Sequence, residues 1–218
     1  MTARRVAALA AGVALAATLT ACGGSAPTSG SPVDVVSTSA AADALEGSTL
    51  DTPLDKPEGT LTDTAGQPYD LRTATAGQLV LLYFGYTHSP DVCPTTMADV
   101  NVALQQVPAQ VRTHTTVVFV TTDPDRDTPP VIRTWLDAFS TSFVGLTGPA
   151  ATVQAMADSV GVSIEPPVTN PDGSVSVTHG AQVVAFSPTD DKAHVLYTAG
   201  TGAADYEHDL PLLAAGTV

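Results

Sequence analysis

Residues 79–96 read Leu-Val-Leu-Leu-Tyr-Phe-Gly-Tyr-Thr-His-Ser-Pro-Asp-Val-Cys-Pro-Thr-Thr. Leu79 to Phe84 is an unbroken apolar run of strand length, the pattern of a strand buried on both faces of a sheet. A short loop follows, from Gly85 to Cys93, and then Pro94 in a first helical turn opens a helix predicted over Thr95–Val107, with Met97, Val100 and Leu104 as its apolar stripe. In an open α/β sheet, ligands and reactive groups gather beyond the carboxyl ends of the strands. This loop lies in that place. Cys93 falls at or beside the helix N-terminus, whose unpaired N–H groups favour the thiolate, the nucleophilic and metal-binding form of cysteine.

The same reading extends outward. Leu61 to Leu71 has the look of a hairpin, with Asp63 and Gly66 supplying the turn. Thr116–Thr121 is a second buried strand, followed by a loop Asp123–Thr128 and a helix that starts at Pro129 and carries Ile132, Trp135, Leu136 and Phe139. Phe143–Leu146, Ala181–Phe186 and Val195–Thr198 read as strands, and Ala150–Val160 and Asp205–Ala214 as helices. Alternating strands and helices, then two adjacent strands and a last helix, is a thioredoxin-like α/β order: a central mixed sheet flanked by helices, with an N-terminal hairpin. The folded domain is assigned to residues 50–218.

Ahead of it lies an export signal, residues 1–21: Arg4 and Arg5, the apolar run Val6 to Leu19, then Leu-Thr-Ala before Cys22, Gly23 and Gly24. The run is short for a membrane span. Leu-Thr-Ala-Cys resembles the bacterial lipobox, which implies that Cys22 becomes the lipidated first residue of the mature chain, anchored on the extracytoplasmic face of the cell membrane. Residues 22–49, rich in Ser, Ala, Thr, Pro and Gly, are the expected flexible tether.

Composition excludes several functions. The chain of 218 residues has two cysteines, eight Lys plus Arg and twenty-two Asp plus Glu, for a formal charge of −14. Two cysteines build neither a disulfide scaffold, a four-cysteine zinc site nor an iron–sulfur cluster. Nucleic acid is not an expected partner, because phosphate binding needs clustered Lys and Arg. With Cys22 given to lipid, Cys93 is the one thiol of the mature chain and an intramolecular disulfide is excluded.

Phe-Gly-Tyr-Thr-His-x-Pro-Asp-Val-Cys-Pro-Thr-Thr over residues 84–96, Asp-Pro-Asp-Arg-Asp-Thr-Pro over 123–129, Gly-Leu-Thr-Gly over 145–148 and His179 before a strand together resemble the SCO/SenC family. The resemblance implies a thioredoxin-fold, membrane-tethered, extracytoplasmic protein that binds copper, most often Cu(I), and assists assembly of the copper centre of cytochrome c oxidase. It implies no enzyme activity. The family holds copper with Cys-x-x-x-Cys and a distant histidine. Cys93 matches the second cysteine and His179 the histidine, while the first cysteine position is Ser89. A serine hydroxyl is a hard, poor ligand for Cu(I). The expected site is therefore a weakened, two-coordinate Cys93–His179 centre without a dithiol redox step.

Further candidates for ligation or support of the metal are His88, Ser89, Asp91, Met97 and Asp123. Met97 also fits the apolar stripe, and Asp91 a turn before the helix. In the 123–129 run, Thr128 or Asp127 is expected to cap the helix and Arg126 to pair with Asp123 or Asp125. His114, His194 and His208 read as surface residues. Two other functions compete: a one-cysteine thiol peroxidase of the same fold, and a partner-binding scaffold that has lost its metal. Against the first, the peroxiredoxin pattern wants Thr or Ser three residues before the cysteine and Pro four before that, where this chain has Pro90 and Tyr86.

Overall fold

The computed structural model describes residues 44–165, 168–171, 175–176 and 178–217. The signal segment, Cys22 and most of the tether lie outside the described residues. The domain contains an eight-stranded sheet in the order β1-β10-β9-β4-β5-β6-β2-β3. Its strands are β1 Ser48–Asp55, β2 Thr60–Asp63, β3 Pro68–Asp70, β4 Leu79–Gly85, β5 Thr115–Thr121, β6 Val144–Thr147, β9 Val183–Phe186 and β10 Lys192–Tyr197, while β7 Val168–Thr169 and β8 Val175–Ser176 form a separate two-stranded ladder. β4, β5 and β6 run parallel, and β9 lies antiparallel to β4. The sheet is mixed and thioredoxin-like, as the element order predicts.

The apolar run of β4 behaves as a strand with two dry faces. Leu79, Leu81 and Tyr83 enter one core cluster, and Val80, Leu82 and Phe84 the other. The alternation is the period-2 geometry of a strand. Val117 and Phe119 of β5, and Val183 and Ala185 of β9, continue the first face; Val118, Val120, Val184 and Phe186 continue the second. Helices α2 Val92–Gln106, α4 Pro129–Asp137 and α6 Ala203–Ala214 cover the first face, and α5 Ala150–Ser159 the second. Met97, Val100 and Leu104 lie on the buried side of α2. Each such side chain contributes about 1.5–3 kcal/mol by leaving water.

Several elements differ from the sequence reading, for physical reasons. α2 starts at Val92, not Thr95, because the Asp91 carboxylate accepts from the Val92 amide at 2.7 Å and begins the helix before Pro94. Cys93 therefore sits inside the first turn. The hairpin is present as β2–β3, with Asp63 Oδ1 accepting from Ala65 and Gln67 across its turn. It is not the first element, however, since β1 precedes it and pairs with β10 at the opposite edge of the sheet. Ahead of Leu50, the Glu46 and Gly47 amides donate to buried Asp209 at 3.0 and 2.9 Å. β1 carries only half-buried and exposed side chains, so its sequence lacks a core pattern. The short helices α1 Leu71–Ala74 and α3 Ala109–Thr113 have too few turns to show periodicity.

Candidate metal centre

Cys93 and His179, 86 residues apart in sequence, meet at the end of β4. The Cys93 Sγ is 3.6 Å from His179 Nε2. Three local features produce that meeting. Gly85 ends β4, and a Cβ there would fall 2.6 Å from the Tyr83 ring and 3.0 Å from the Cys93 sulfur. The missing side chain lets the first turn of α2 close over the strand end. His179 bridges to Ile164, and the adjoining bonds from Glu165 N to Thr178 O and from Gly180 N to Ser163 O hold its backbone. Finally, His179 Nδ1 donates to the Gly180 carbonyl at 2.9 Å. That bond leaves Nε2 as the nitrogen aimed at the sulfur, the arrangement by which a second-shell carbonyl fixes a ligating histidine.

The charges agree with the geometry. Burial pushes the Cys93 thiol up, yet the hydrogen bonds from His179, Ser89 and Tyr83 outweigh it, and the net shift is downward. His179 moves the other way: burial lowers it, and the bonds to Cys93 and the Gly180 carbonyl, together with the charge on the sulfur, more than compensate. Both shifts favour a thiolate facing an imidazolium. Burial above all, with the sulfur beside it, drives the Tyr83 phenol far upward, so it stays protonated and donates. Its hydroxyl reaches the sulfur at 3.4 Å.

The donor set suits a soft ion. Thiolate and imidazole match Cu(I). Ser89 lies four residues before Cys93 and is half-buried. Its hydroxyl accepts from the Cys93 amide at 3.3 Å and also bonds the sulfur.

The remaining candidates fall into place around this pair. Asp91 caps α2 and is exposed. Met97 is fully buried in the same apolar cluster as Cys93, as its place on the stripe predicts. Asp123 is buried and pairs with Arg126. His88 is half exposed, its Nδ1 3.1 Å from Thr87 Oγ1 and 3.4 Å from Asp127. His88, Asp123 and Asp127 bring their ligand atoms within 4.8 Å of one another. Both carboxylates there are already engaged. Asp127 accepts from the Thr87 amide at 2.9 Å, the Thr87 hydroxyl at 2.5 Å and the Thr121 hydroxyl at 2.6 Å.

Asp127 thus corrects an expectation. Neither it nor Thr128 caps α4: Thr128 occupies the N-cap position without a side-chain bond, and Asp127 instead ties the loop after β4 to the end of β5. Pro129 and Pro130 remove two of the amides a cap would serve, which frees the carboxylate for that task. Among the histidines, His114 is exposed, but His194 and His208 are half-buried and pair with Asp190 and Asp209, each at 2.8 Å. Their partners lie next to them on a strand end and a helix, and nothing in sequence spacing announces which carboxylate faces the ring.

Sequence reasoning passed over Tyr83, Tyr86 and Thr87 as functional residues. Tyr83 looks like core, and it is; only its hydroxyl, pointed at the sulfur, distinguishes it from a phenylalanine. Tyr86 packs edge-on against the His179 ring with centroids 5.8 Å apart.

Among the described residues, no helix is long and apolar enough to cross a membrane. The chain matches the SCO1/SenC family over residues 51–209. Named relatives include a Stutzerimonas stutzeri protein called copper-binding, 34% identical over 132 residues (61% of this chain and 64% of that protein). The human mitochondrial SCO1 homolog is 32% identical over 137 residues, 56% of this chain and 44% of its own length. These alignments span less than two thirds of the relatives they match. Among solved structures, apo Sco1 from Thermus thermophilus superposes with a TM-score of 0.65 at 30% identity, covering 79% of this chain and 96% of that one. ScoI of Bradyrhizobium japonicum with copper bound gives 0.62 at 26% identity, covering 77% and 98%. Since the family match spans well over half of the chain and the fold agrees with it, the protein belongs to the SCO1/SenC family.

Proposed function

We propose that this protein binds Cu(I) through Cys93 and His179 and passes it to the copper centre of cytochrome c oxidase, held by a lipid on Cys22 at the extracytoplasmic face of the cell membrane. The observation that carries the reading is the convergence of Sγ and Nε2 at 3.6 Å, with the imidazole tautomer set by Gly180. The copper-binding relatives support the choice of metal. Ser89 in the first cysteine position leaves one thiolate to hold the ion, so the site is weaker than a two-cysteine site and releases its cargo more readily. The acidic surface, six basic against twenty-two acidic groups once residues 1–21 are removed, favours cations in its vicinity.

Anaerobic Cu(I) titration of the wild type, Cys93→Ser and His179→Ala tests the reading. One equivalent is expected to bind to the wild type, and Cys93→Ser is expected to lose at least about a hundredfold in affinity. Equal, weak binding by wild type and Cys93→Ser overturns the copper assignment and leaves the scaffold reading in its place. Peroxide consumption with a thiol reductant, abolished by Cys93→Ser, would instead mark a thiol peroxidase.

A further inference from the structure

We propose that Tyr83 is a positioning residue for this centre: its phenol O–H donates to the Cys93 sulfur and biases the site toward Cu(I) over Cu(II). The inference rests on the copper reading above and deepens it.

Tyr83 is fully buried on the face of β4 that meets α2. A phenylalanine would fill that space without burying a polar atom. A hydroxyl in such a place is costly unless bonded. The hydroxyl donates to the Cys93 sulfur at 3.4 Å.

The ring has a second part in the geometry. It lies edge-on to the His179 imidazole, centroids 6.1 Å apart at 83°, while Tyr86 does the same at 5.8 Å and 89°. Between two tyrosines and the Gly180 carbonyl, the imidazole has one orientation, so the direction of Nε2 is set before an ion arrives.

With Ser89 replacing a thiolate, one sulfur supplies all the soft donation. A hydrogen bond given to that sulfur draws electron density from it. Cu(II) demands more of that density than Cu(I), so the bond weakens Cu(II) ligation more, just as hydrogen bonding around a cysteine sulfur tunes other copper sites.

The test compares the full-length wild type with Tyr83→Phe. Tyr197→Phe, which removes an equally buried phenol that bonds Asp209 instead of the sulfur, is the control. Cu(I) and Cu(II) affinities are measured separately, and the sulfur-to-Cu(II) charge-transfer band is recorded. In Tyr83→Phe the preference for Cu(I) over Cu(II) is expected to fall about tenfold. The band is expected to move to longer wavelength, because the sulfur electrons are less tightly held. Fluorinated tyrosine at position 83 keeps the hydroxyl and makes it a stronger donor, so it should shift the band the opposite way; it also serves if Tyr83→Phe does not fold. An unchanged ratio and band in Tyr83→Phe, alongside loss of the band in Cys93→Ser, overturns the role of Tyr83 and leaves the copper site intact. Absence of any Cys93-dependent copper binding in the wild type overturns both.

Discussion

Two buried acidic side chains lie on the same face of the sheet, and they are built alike. Cys93 stands at the start of α2 with the Tyr83 hydroxyl of β4 aimed at its sulfur; Asp209 stands on α6 with the Tyr197 hydroxyl of β10 at 2.9 Å. Each has a glycine beside it where a Cβ would strike the tyrosine ring, Gly85 at 2.6 Å and Gly47 at 2.7 Å. The difference lies in the acceptor atom. Asp209 accepts four bonds of 2.8 to 3.0 Å, from the Glu46 and Gly47 amides, Tyr197 and His208. Cys93 is 3.4 and 3.6 Å from Tyr83 and His179. A hard carboxylate held by four donors is a structural knot that fastens the entering chain to α6. A soft sulfur with a histidine nitrogen facing it is a donor pair suited to a soft ion.

The contrast is most exposed at Asp209. Asp209→Ala leaves two amides and a phenol without their acceptor and should cost about 3–5 kcal/mol in denaturant unfolding, while Cu(I) stoichiometry stays as in the wild type. If copper binding falls in proportion to stability, the two regions are not independent.

Ser89→Cys acts on the other region. A second soft ligand at position 89 should tighten Cu(I) about a hundredfold in competition with a chelator. No tightening would show that position 89 does not face the ion.

A smaller effect is expected in the titration of the apo protein. Because the Cys93 thiol is shifted down, principally by its bond to His179 set against burial, thiolate ultraviolet absorbance should appear as pH rises at values below those of an ordinary thiol. In His179→Ala the onset should move to higher pH, and in Cys93→Ser it should vanish. The imidazolium is present below the raised pKa of His179 and is lost as pH rises through it, so the two shifts, one down and one up, both act in favour of the thiolate–imidazolium pair. An onset in His179→Ala that matches the wild type would mean that helix N-terminus and Ser89 suffice.

Tyr197→Phe should have the least effect, about 1 kcal/mol of stability, since Asp209 keeps its other donors. A larger loss would place more of the knot in that one hydroxyl than four parallel bonds imply.

The sequence was most legible where chemistry and periodicity coincide. The run Leu79–Phe84, the loop behind it and the stripe Met97, Val100 and Leu104 specify strand, crossover and helix from local pattern alone, because apolar spacing reports which faces meet a core. Cys93 and His179 were paired only through the family resemblance, and in the fold they lie 3.6 Å apart. His179 on its own carries no signal, as its partner is 86 residues away. The edge strand β1, with only half-buried and exposed side chains, has no pattern to read.

What the sequence determined by itself is the inventory: a single thiol in the folded domain, a serine four residues before it, a strand and a helix to present them, and glycine at position 85. Tertiary structure alone decided the rest. It set the meeting of Sγ with Nε2 at 3.6 Å, the transfer of Asp127 from helix cap to strut between two loops, and the direction of the Tyr83 hydroxyl. The physical reason is range. Propensity and periodicity act over a few residues, whereas a hydrogen bond or a ligand pair depends on angles and tenths of an ångström that are set only when distant segments pack against a common sheet.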